Sequence, residues 1–213
     1  MLIYLIISLK IFFYLITIYS RQKSNTIFVR SINENNFYPM NTENRFVRRM
    51  QPEDIQEITA IYAHYVKETT VTFDLIPPSV TEMTITLKPI INSYPAWVCC
   101  SHNQIIGYAY AHPWKSKAAY ATTLETTLYI HPNYTRQGLG QLLLSKLISD
   151  AQQKQIHALI ACITYPNLPS EKLHEKFGFM KVSHFSEVGK KFGIWLDVAD
   201  YELLLTPQST MNI

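Results

Sequence analysis

Metal-ligand spacings are missing from this sequence. Its three cysteines, Cys99, Cys100 and Cys162, form no CxxC pair, and its seven histidines are scattered without a His, Cys or carboxylate partner at zinc or iron spacing. No metal is expected. Adjacent Cys99 and Cys100 would point to opposite faces of a strand, so the cysteines read as reduced packing residues. Runs of basic charge are missing too. Residues 1–39 hold Lys10, Arg21, Lys23 and Arg30 against Glu34, so of 19 Lys+Arg and 16 Asp+Glu the remainder keeps 15 of each. A neutral remainder without a Lys/Arg stripe gives nucleic acid no electrostatic footprint, and that partner is set aside. Internal repeats and low-complexity tracts are likewise absent after Met40.

What is present is apolar: 47% of 213 residues, enough for one well-packed domain and short for two. The N-terminal 39 residues stand apart from it. Residues 2–19 are nearly all Leu, Ile, Phe and Tyr, broken by Ser8, Lys10 and Thr17, a length that just crosses a bilayer as a helix. No basic residue precedes the run and no small-x-small site follows it, which argues against a cleaved signal peptide. Arg21, Lys23 and Arg30 after it would hold the rest of the chain on the cytoplasmic side. The same 39 residues contain no Gly, Ala, Asp or His and are rich in residues with AT-rich codons, while Met40 directly precedes the first domain-like segment. A membrane anchor and a start at Met40 are therefore both open, and the expected domain is 40–213.

Within it, Arg45–Arg49 reads as a first strand. Met50-Gln51-Pro52-Glu53-Asp54 starts a helix with Pro and acids in the first turn, and Ile55, Ile58, Ile61, Tyr62 and Tyr65 follow at helical spacing. A second helix is predicted from Ser79 to about Ile91, leaving Val71-Thr72-Phe73-Asp74 in a loop able to line a pocket. Ala96–Ser101 and Ile105–Tyr110 read as antiparallel strands around His102-Asn103-Gln104, and Leu124–Ile130 as the next strand. A helix from Leu139 to about Gln153 has Leu139, Leu142, Leu143, Leu147 and Ala151 on one face. Ala158–Thr164 is a strand, Pro169–Phe177 a helix closed by Gly178, and strands near Met180–Ser183 and Val198–Leu205 finish the chain. Hairpins giving way to strand-helix-strand predict an α+β class with a mixed sheet.

Between a strand and an amphipathic helix lies Arg136-Gln137-Gly138-Leu139-Gly140-Gln141, where glycines let backbone amides turn toward an anion at a helix N-terminus. A glycine pair there is by itself weak and often only structural. A dinucleotide fold would need a third glycine and an acid ending the next strand, which instead ends Ala161-Cys162-Ile163-Thr164; a Walker loop would need Gly-Lys-Ser/Thr. The segment does resemble the Gln/Arg-x-x-Gly-x-Gly/Ala pyrophosphate loop of the GNAT superfamily, with Gly138 and Gly140 in place and Thr135 departing from the first position. The resemblance extends to phosphinothricin N-acetyltransferases through Thr72-Phe73, Gly107-Tyr108-Ala109-Tyr110, Pro113-Trp114, Ala119-Tyr120, Glu125 with Tyr129, His131-Pro132, Leu173-His174-Glu175-Lys176-Phe177-Gly178-Phe179 and Val188 to Val198. It covers about Arg45 to Leu205.

That resemblance implies a GNAT fold, a mixed and mostly antiparallel sheet with flanking helices, and acetyl-CoA as co-substrate. It implies phosphate contacts along Thr135, Arg136, Gln137, Gly138, Leu139, Gly140 and Gln141, and backbone contacts to pantetheine and thioester from Leu128, Tyr129 and Ile130, with an amide as oxyanion donor. Asn167 and Ser170 would help position coenzyme A, Asn167 having helix capping as its plainer role. Glu125, the one acid of an apolar and hydroxyl-rich strand, is the implied base acting through water; a salt-bridged structural carboxylate is the alternative. His174 stands where most members have the tyrosine that protonates the coenzyme A thiolate, although a lone helical histidine is usually surface or core filling. Phe73, Tyr110, Trp114, Lys115, Lys117, Tyr120 and Trp195 are implied pocket or rim residues, with either lysine able to meet a carboxylate or phosphinate.

The expected function is acetylation, in the cytoplasm, of a small amino-acid-like amine such as phosphinothricin, methionine sulfoximine or methionine sulfone. Other amines (a polyamine, an aminoglycoside, a protein N-terminus) and a catalytically silent acyl-CoA-binding module are the alternatives. The family also implies a homodimer, with Glu187 to Asp197 near the partner.

Overall fold

Eight strands and four helices of eight residues or more follow from these patterns, in a computed structural model that describes residues 45–205. The choice between an N-terminal anchor and a start at Met40 lies outside the described residues. The strands are β1 Arg45–Arg49, β2 Ala96–Ser101, β3 Gln104–Pro113, β4 Thr123–Ile130, β5 Ala158–Tyr165, β6 Met180–Lys181, β7 Phe185–Lys191 and β8 Ile194–Leu204. They form one sheet in the order β1-β2-β3-β4-β5-β8-β6, with β7 also paired to β8. Every pairing is antiparallel except β4 with β5. The class is α+β.

Helices α1 (Ile55–Glu68) and α2 (Val80–Ser93) cover one face of the sheet. Ile55, Ile58, Ile61, Met83, Leu87 and Ile90 pack there on Ala96, Val98, Cys100 and Tyr108. Each helix begins where its sequence allows. Asp54 accepts from Arg48 Nη1 and Nη2, both at 2.7 Å, and from the Gln51 amide at 2.8 Å, fixing the turn before α1. Ser79 caps α2 reciprocally with Glu82: the Ser79 amide donates to Glu82 Oε2 at 2.7 Å and the Glu82 amide to Ser79 Oγ at 3.2 Å.

Helix α3 (Leu139–Gln153) lies on the other face. Leu139, Leu143, Leu144, Leu147 and Ala151 are buried; Leu142, expected on this face, is only half-buried, and Leu144 takes its place. Gly107 admits the helix: a Cβ there would lie 3.3 Å from Leu143 Cδ1 and 2.8 Å from Ile130 Cδ1. Near the C-terminal end of α3, buried Asp150 binds Arg49 Nη2 at 2.7 Å and Trp97 Nε1 at 3.2 Å, tying the helix to β1 and β2. Helix α4 (Leu168–Lys176) ends before Gly178, whose φ of +87° places it in the left-handed region that favours glycine.

Two expectations are corrected. The β2–β3 turn needs only His102 and Asn103, both left-handed at φ 47° and 65°, so Gln104 already belongs to β3. At the C-terminus the chain builds a β7–β8 hairpin around Phe192 and Gly193, and β8 starts at Ile194 rather than Val198. Its first strand is exposed at most positions and lacks the half-buried alternation by which strands are read.

Candidate active site

The site begins where two strands part. Strands β4 and β5 pair only from Thr123 to Glu125 against Ala158 to Ile160, and Thr126 Oγ1 donates to the Ile160 carbonyl at 3.2 Å at the point of divergence. Beyond it, the edge of β4 toward β5 is open. The phase of the β3–β4 ladder decides which groups face that edge. Trp114 N bonds to Thr123 O at 3.3 Å and His131 N to Ile106 O at 2.9 Å, so residues 123, 125, 127, 129 and 131 turn their amides to β3. Leu128 and Ile130 therefore present backbone groups to the opening. Tyr129 does not: its backbone belongs to the ladder with Tyr108, which corrects its expected part as a backbone contact. The Ile130 carbonyl is held by Tyr65 Oη at 2.5 Å, leaving its amide as the free donor.

At the end of β4, Pro132–Tyr134 makes one 3-10 turn and Gly138, at φ +77°, swings the chain into α3. No side chain caps that helix, so its first amides are open and its dipole favours an anion. Arg136 is exposed at φ 58°, Gln137 Nε2 donates to Asn133 O at 3.3 Å, and Gln141 Oε1 accepts from Lys176 Nζ at 2.7 Å. Thr135 Oγ1 donates to the Pro132 carbonyl at 3.2 Å, so its proton is engaged inside the turn rather than offered to a phosphate. Gly140 has a packing reason: a Cβ would sit 3.1 Å from Leu173 Cδ2 of α4. Backbone amides over a helix N-terminus, beside an open strand edge, fit the pyrophosphate and pantetheine arm of acetyl-CoA.

Helix α4 borders the same region. Asn167 caps it, its Oδ1 accepting from the Ser170 amide at 3.4 Å and its own amide donating to Glu171 Oε1 at 2.6 Å. His174 turns inward. It is buried, meets Phe179 edge-on at 5.0 Å, and its Nδ1 lies 2.8 Å from the Ser170 carbonyl, which can only accept. Burial lowers its pKa, opposed by that hydrogen bond. A neutral imidazole whose single proton is held by a backbone carbonyl is a poor acid for a thiolate, and this geometry does not support that expected role.

Residues directly opposite in adjacent strands share a face. Glu125 therefore lies beside His112 on the α1/α2 side, in one row with Tyr110 opposite Thr127 and Tyr108 opposite Tyr129. Tyr108 and Tyr110 stack at 6.2 Å, and Tyr129 is 5.2 Å from Tyr62 and 5.0 Å from Tyr65. Tyr62 Oη donates to Asp74 Oδ2 at 2.7 Å and lies 2.7 Å from Thr72 Oγ1. Half-buried Glu125 has its pKa raised by desolvation, with His112 opposing the shift and Asp200 adding to it. That suits a base which must be ionised near neutrality without being too weak to hold a proton.

The structure sorts the expected acceptor residues into groups. Trp114 and Tyr120 meet edge-on at 5.3 Å with Lys115 Nζ 3.9 Å over the indole, in the loop that leads into β4 beside Glu125. Lys117 is exposed in the same loop. Phe73 lies across the β7–β8 hairpin: a Cβ on Gly189 would fall 2.2 Å from its Cε2. Lys191, only 2% exposed, donates to the Thr72 carbonyl at 2.8 Å, so hairpin and α1–α2 loop are fastened together. Trp195 is not brought to this face. It alternates with Leu196, Val198 and Asp200 along β8 and stands exposed beside Lys190, whose Nζ is 5.1 Å from the ring.

Residues 58–179 match the Acetyltransferase (GNAT) family. The chain belongs to that family. It is 39% identical to a phosphinothricin N-acetyltransferase of Streptomyces coelicolor, over 73% of this chain and 94% of that protein. It is 32% identical to an L-methionine sulfoximine/L-methionine sulfone acetyltransferase of Salmonella typhimurium, over 75% of this chain and 94% of that protein. Among solved structures, a phosphinothricin acetyltransferase from Sinorhizobium meliloti in complex with acetyl-CoA superposes with a TM-score of 0.74 at 30% identity, covering 78% of this chain and 95% of that one. This protein is accordingly an acetyl-CoA-dependent N-acetyltransferase.

Sequence reasoning missed several residues of this GNAT domain that surround Glu125. His112, Asp200 and Cys162 share its face, Cys162 opposite Asp200 in the β5–β8 ladder. Cys162 was expected as packing, but it is exposed just beyond the last β4–β5 pair, where β5 leaves β4. Its thiol is pushed up to about 12 by desolvation among the strands and then by the Asp200 and Glu125 carboxylates. It is therefore protonated near neutrality and unsuited to nucleophilic attack. Counting by twos from Tyr110 would have found His112. Asp200 and Cys162 needed the pairing of distant strands. Among the described residues no group of three or more His, Cys, Asp or Glu side chains is placed to hold a metal ion.

Proposed function

We propose that this enzyme acetylates the α-amino group of a small amino-acid analogue with a tetrahedral polar side-chain group, of the phosphinothricin, methionine sulfoximine or methionine sulfone type. The observation that carries the reading is the placing of Glu125: half-buried, its pKa raised, at the head of the open β4 edge and on the face lined by Tyr110 and Tyr129. The relatives named for those three compounds supply the acceptor class.

In this reading Glu125 takes a proton, through water, from the acceptor ammonium. The freed amine attacks the thioester carbonyl, and an amide of Leu128 or Ile130 donates to the oxygen on which charge develops. The nitrogen loses a second proton as the amide forms, and that proton is available to the departing thiolate. Open amides at the start of α3 hold the pyrophosphate, and Asn167 with Ser170 positions the coenzyme through α4. His174 acts by bracing that helix. Lys115, held over Trp114, meets the acceptor's carboxylate or oxyacid group.

We further propose that residues 40–213 are the catalytic unit, that it works in the cytoplasm, and that it pairs as a homodimer through the exposed β7–β8 hairpin. The deciding experiment is coenzyme A release by the purified protein with acetyl-CoA and a panel of phosphinothricin, methionine sulfoximine, methionine sulfone, spermidine and an aminoglycoside. Turnover confined to the first three is expected. Turnover only with spermidine or the aminoglycoside would reassign the acceptor, and acetyl-CoA binding without turnover on any of them would favour a silent module.

A further inference from the structure

Acetylation of an ammonium releases two protons from nitrogen. One ends on the coenzyme A sulfur, so each turnover must pass the other to bulk water. Glu125 receives it, yet a half-buried carboxylate between strands regains its ionised form only if the proton has a way out.

The neighbour best placed for that is on β3. His112 lies directly opposite Glu125 in the β3–β4 ladder, in a hydrogen-bonded pair whose Cα atoms are about 5.5 Å apart in regular geometry. Its Nδ1 is 3.2 Å from the Pro113 carbonyl. A carbonyl only accepts, so Nδ1 carries the hydrogen and Nε2 is left with its lone pair. The ring is half-exposed and tilted against Tyr110 at 6.0 Å, joining the Glu125 face to solvent. The other groups facing Glu125 cannot take this part. Tyr110 and Cys162 both have raised pKa values and keep their protons. Asp200 is engaged by Ser183, whose Oγ donates to its Oδ2 at 2.8 Å, and lies on β8 beyond β5.

We infer that His112 is the proton outlet of this acetyltransferase: Nε2 accepts the proton that Glu125 has taken from the acceptor nitrogen, directly or through one water, and releases it to solvent. The imidazole becomes imidazolium and returns to its starting state, and no other bond changes. His112 thus acts through Glu125 rather than on the substrate, and the inference rests on Glu125 being the base.

The test compares wild type, His112→Ala, His112→Gln and Glu125→Gln, with kcat and kcat/KM measured against pH in weak and in concentrated buffer, with and without added imidazole. The expected result is at least a tenfold loss of kcat in both His112 variants in weak buffer, substantial recovery with imidazole, and an unchanged KM for acetyl-CoA. The acid limb of kcat/KM should also move to higher pH, because the His112 ring, which favours ionised Glu125, has been removed. Wild-type kcat in both variants, or a loss that imidazole does not relieve with the acid limb unmoved, would overturn it. Full activity in Glu125→Gln would instead overturn the reading of the base, and this inference with it.

Discussion

At the scale of single residues, the site is governed by how little water reaches Glu125. Desolvation raises its pKa and Asp200 adds to the effect, so the ionised form is held at an energetic disadvantage that the fold tolerates. For a carboxylate with a raised folded-state pKa, the folded protein binds more protons than the unfolded chain between the two values, and stability falls as pH rises through that window. Glu125→Gln removes this disadvantage together with the base. Its kcat/KM should drop by about 10²- to 10⁴-fold, while its melting temperature at pH 8 should equal or exceed that of wild type. A melting temperature clearly below wild type would mark Glu125 as a structural carboxylate. For wild type, activity should fall as pH is lowered through a limb lying above the ordinary carboxylate range.

At the scale of elements, the acceptor side depends on two pieces distant in sequence, the α1–α2 loop and the β7–β8 hairpin. Lys191 to Thr72 is one fastening and Phe73 over Gly189 the other. Gly189→Ala would drive a Cβ to 2.2 Å from Phe73 Cε2. Phe73 is 36% exposed, so its ring can swing into solvent, and the change should be felt in binding more than in stability. The expected outcome is a severalfold higher KM for the acceptor, on the order of 1 kcal/mol, with the KM for acetyl-CoA unmoved. Steady-state kinetics with each substrate varied in turn separates the two. An unchanged acceptor KM would remove Phe73 from the pocket wall.

At the scale of the whole molecule, the hairpin leaves Phe185, Val188, Phe192, Ile194 and Trp195 each at least half exposed on one projecting element. Exposed apolar side chains of this kind are candidates for burial against a partner, and the proposed homodimer would cover those on the face of Trp195. Trp195, turned away from the Glu125 face, belongs to that surface instead. Trp195→Glu should weaken the dimer by about 2 kcal/mol or more, read as a shift toward monomer in sedimentation velocity. A monomeric wild type at micromolar concentration would dispose of the proposal.

Local chemistry was legible in the sequence. Helical spacing gave α1 and α3, the glycines before α3 marked a candidate anion-binding turn, short apolar runs between turn residues gave β2 to β5, and the run of motifs gave the family, because each rests on neighbours within a few residues. Register and burial were not legible. The sequence alone could not show that Tyr129 turns its backbone to β3, that Thr135 is engaged by Pro132, or that His174 faces inward onto Phe179. Nor could it show that His112, Cys162 and Asp200 meet Glu125 on one face. These depend on which strands pair and where β4 and β5 part, and that is decided by packing of the whole sheet between its two helical layers.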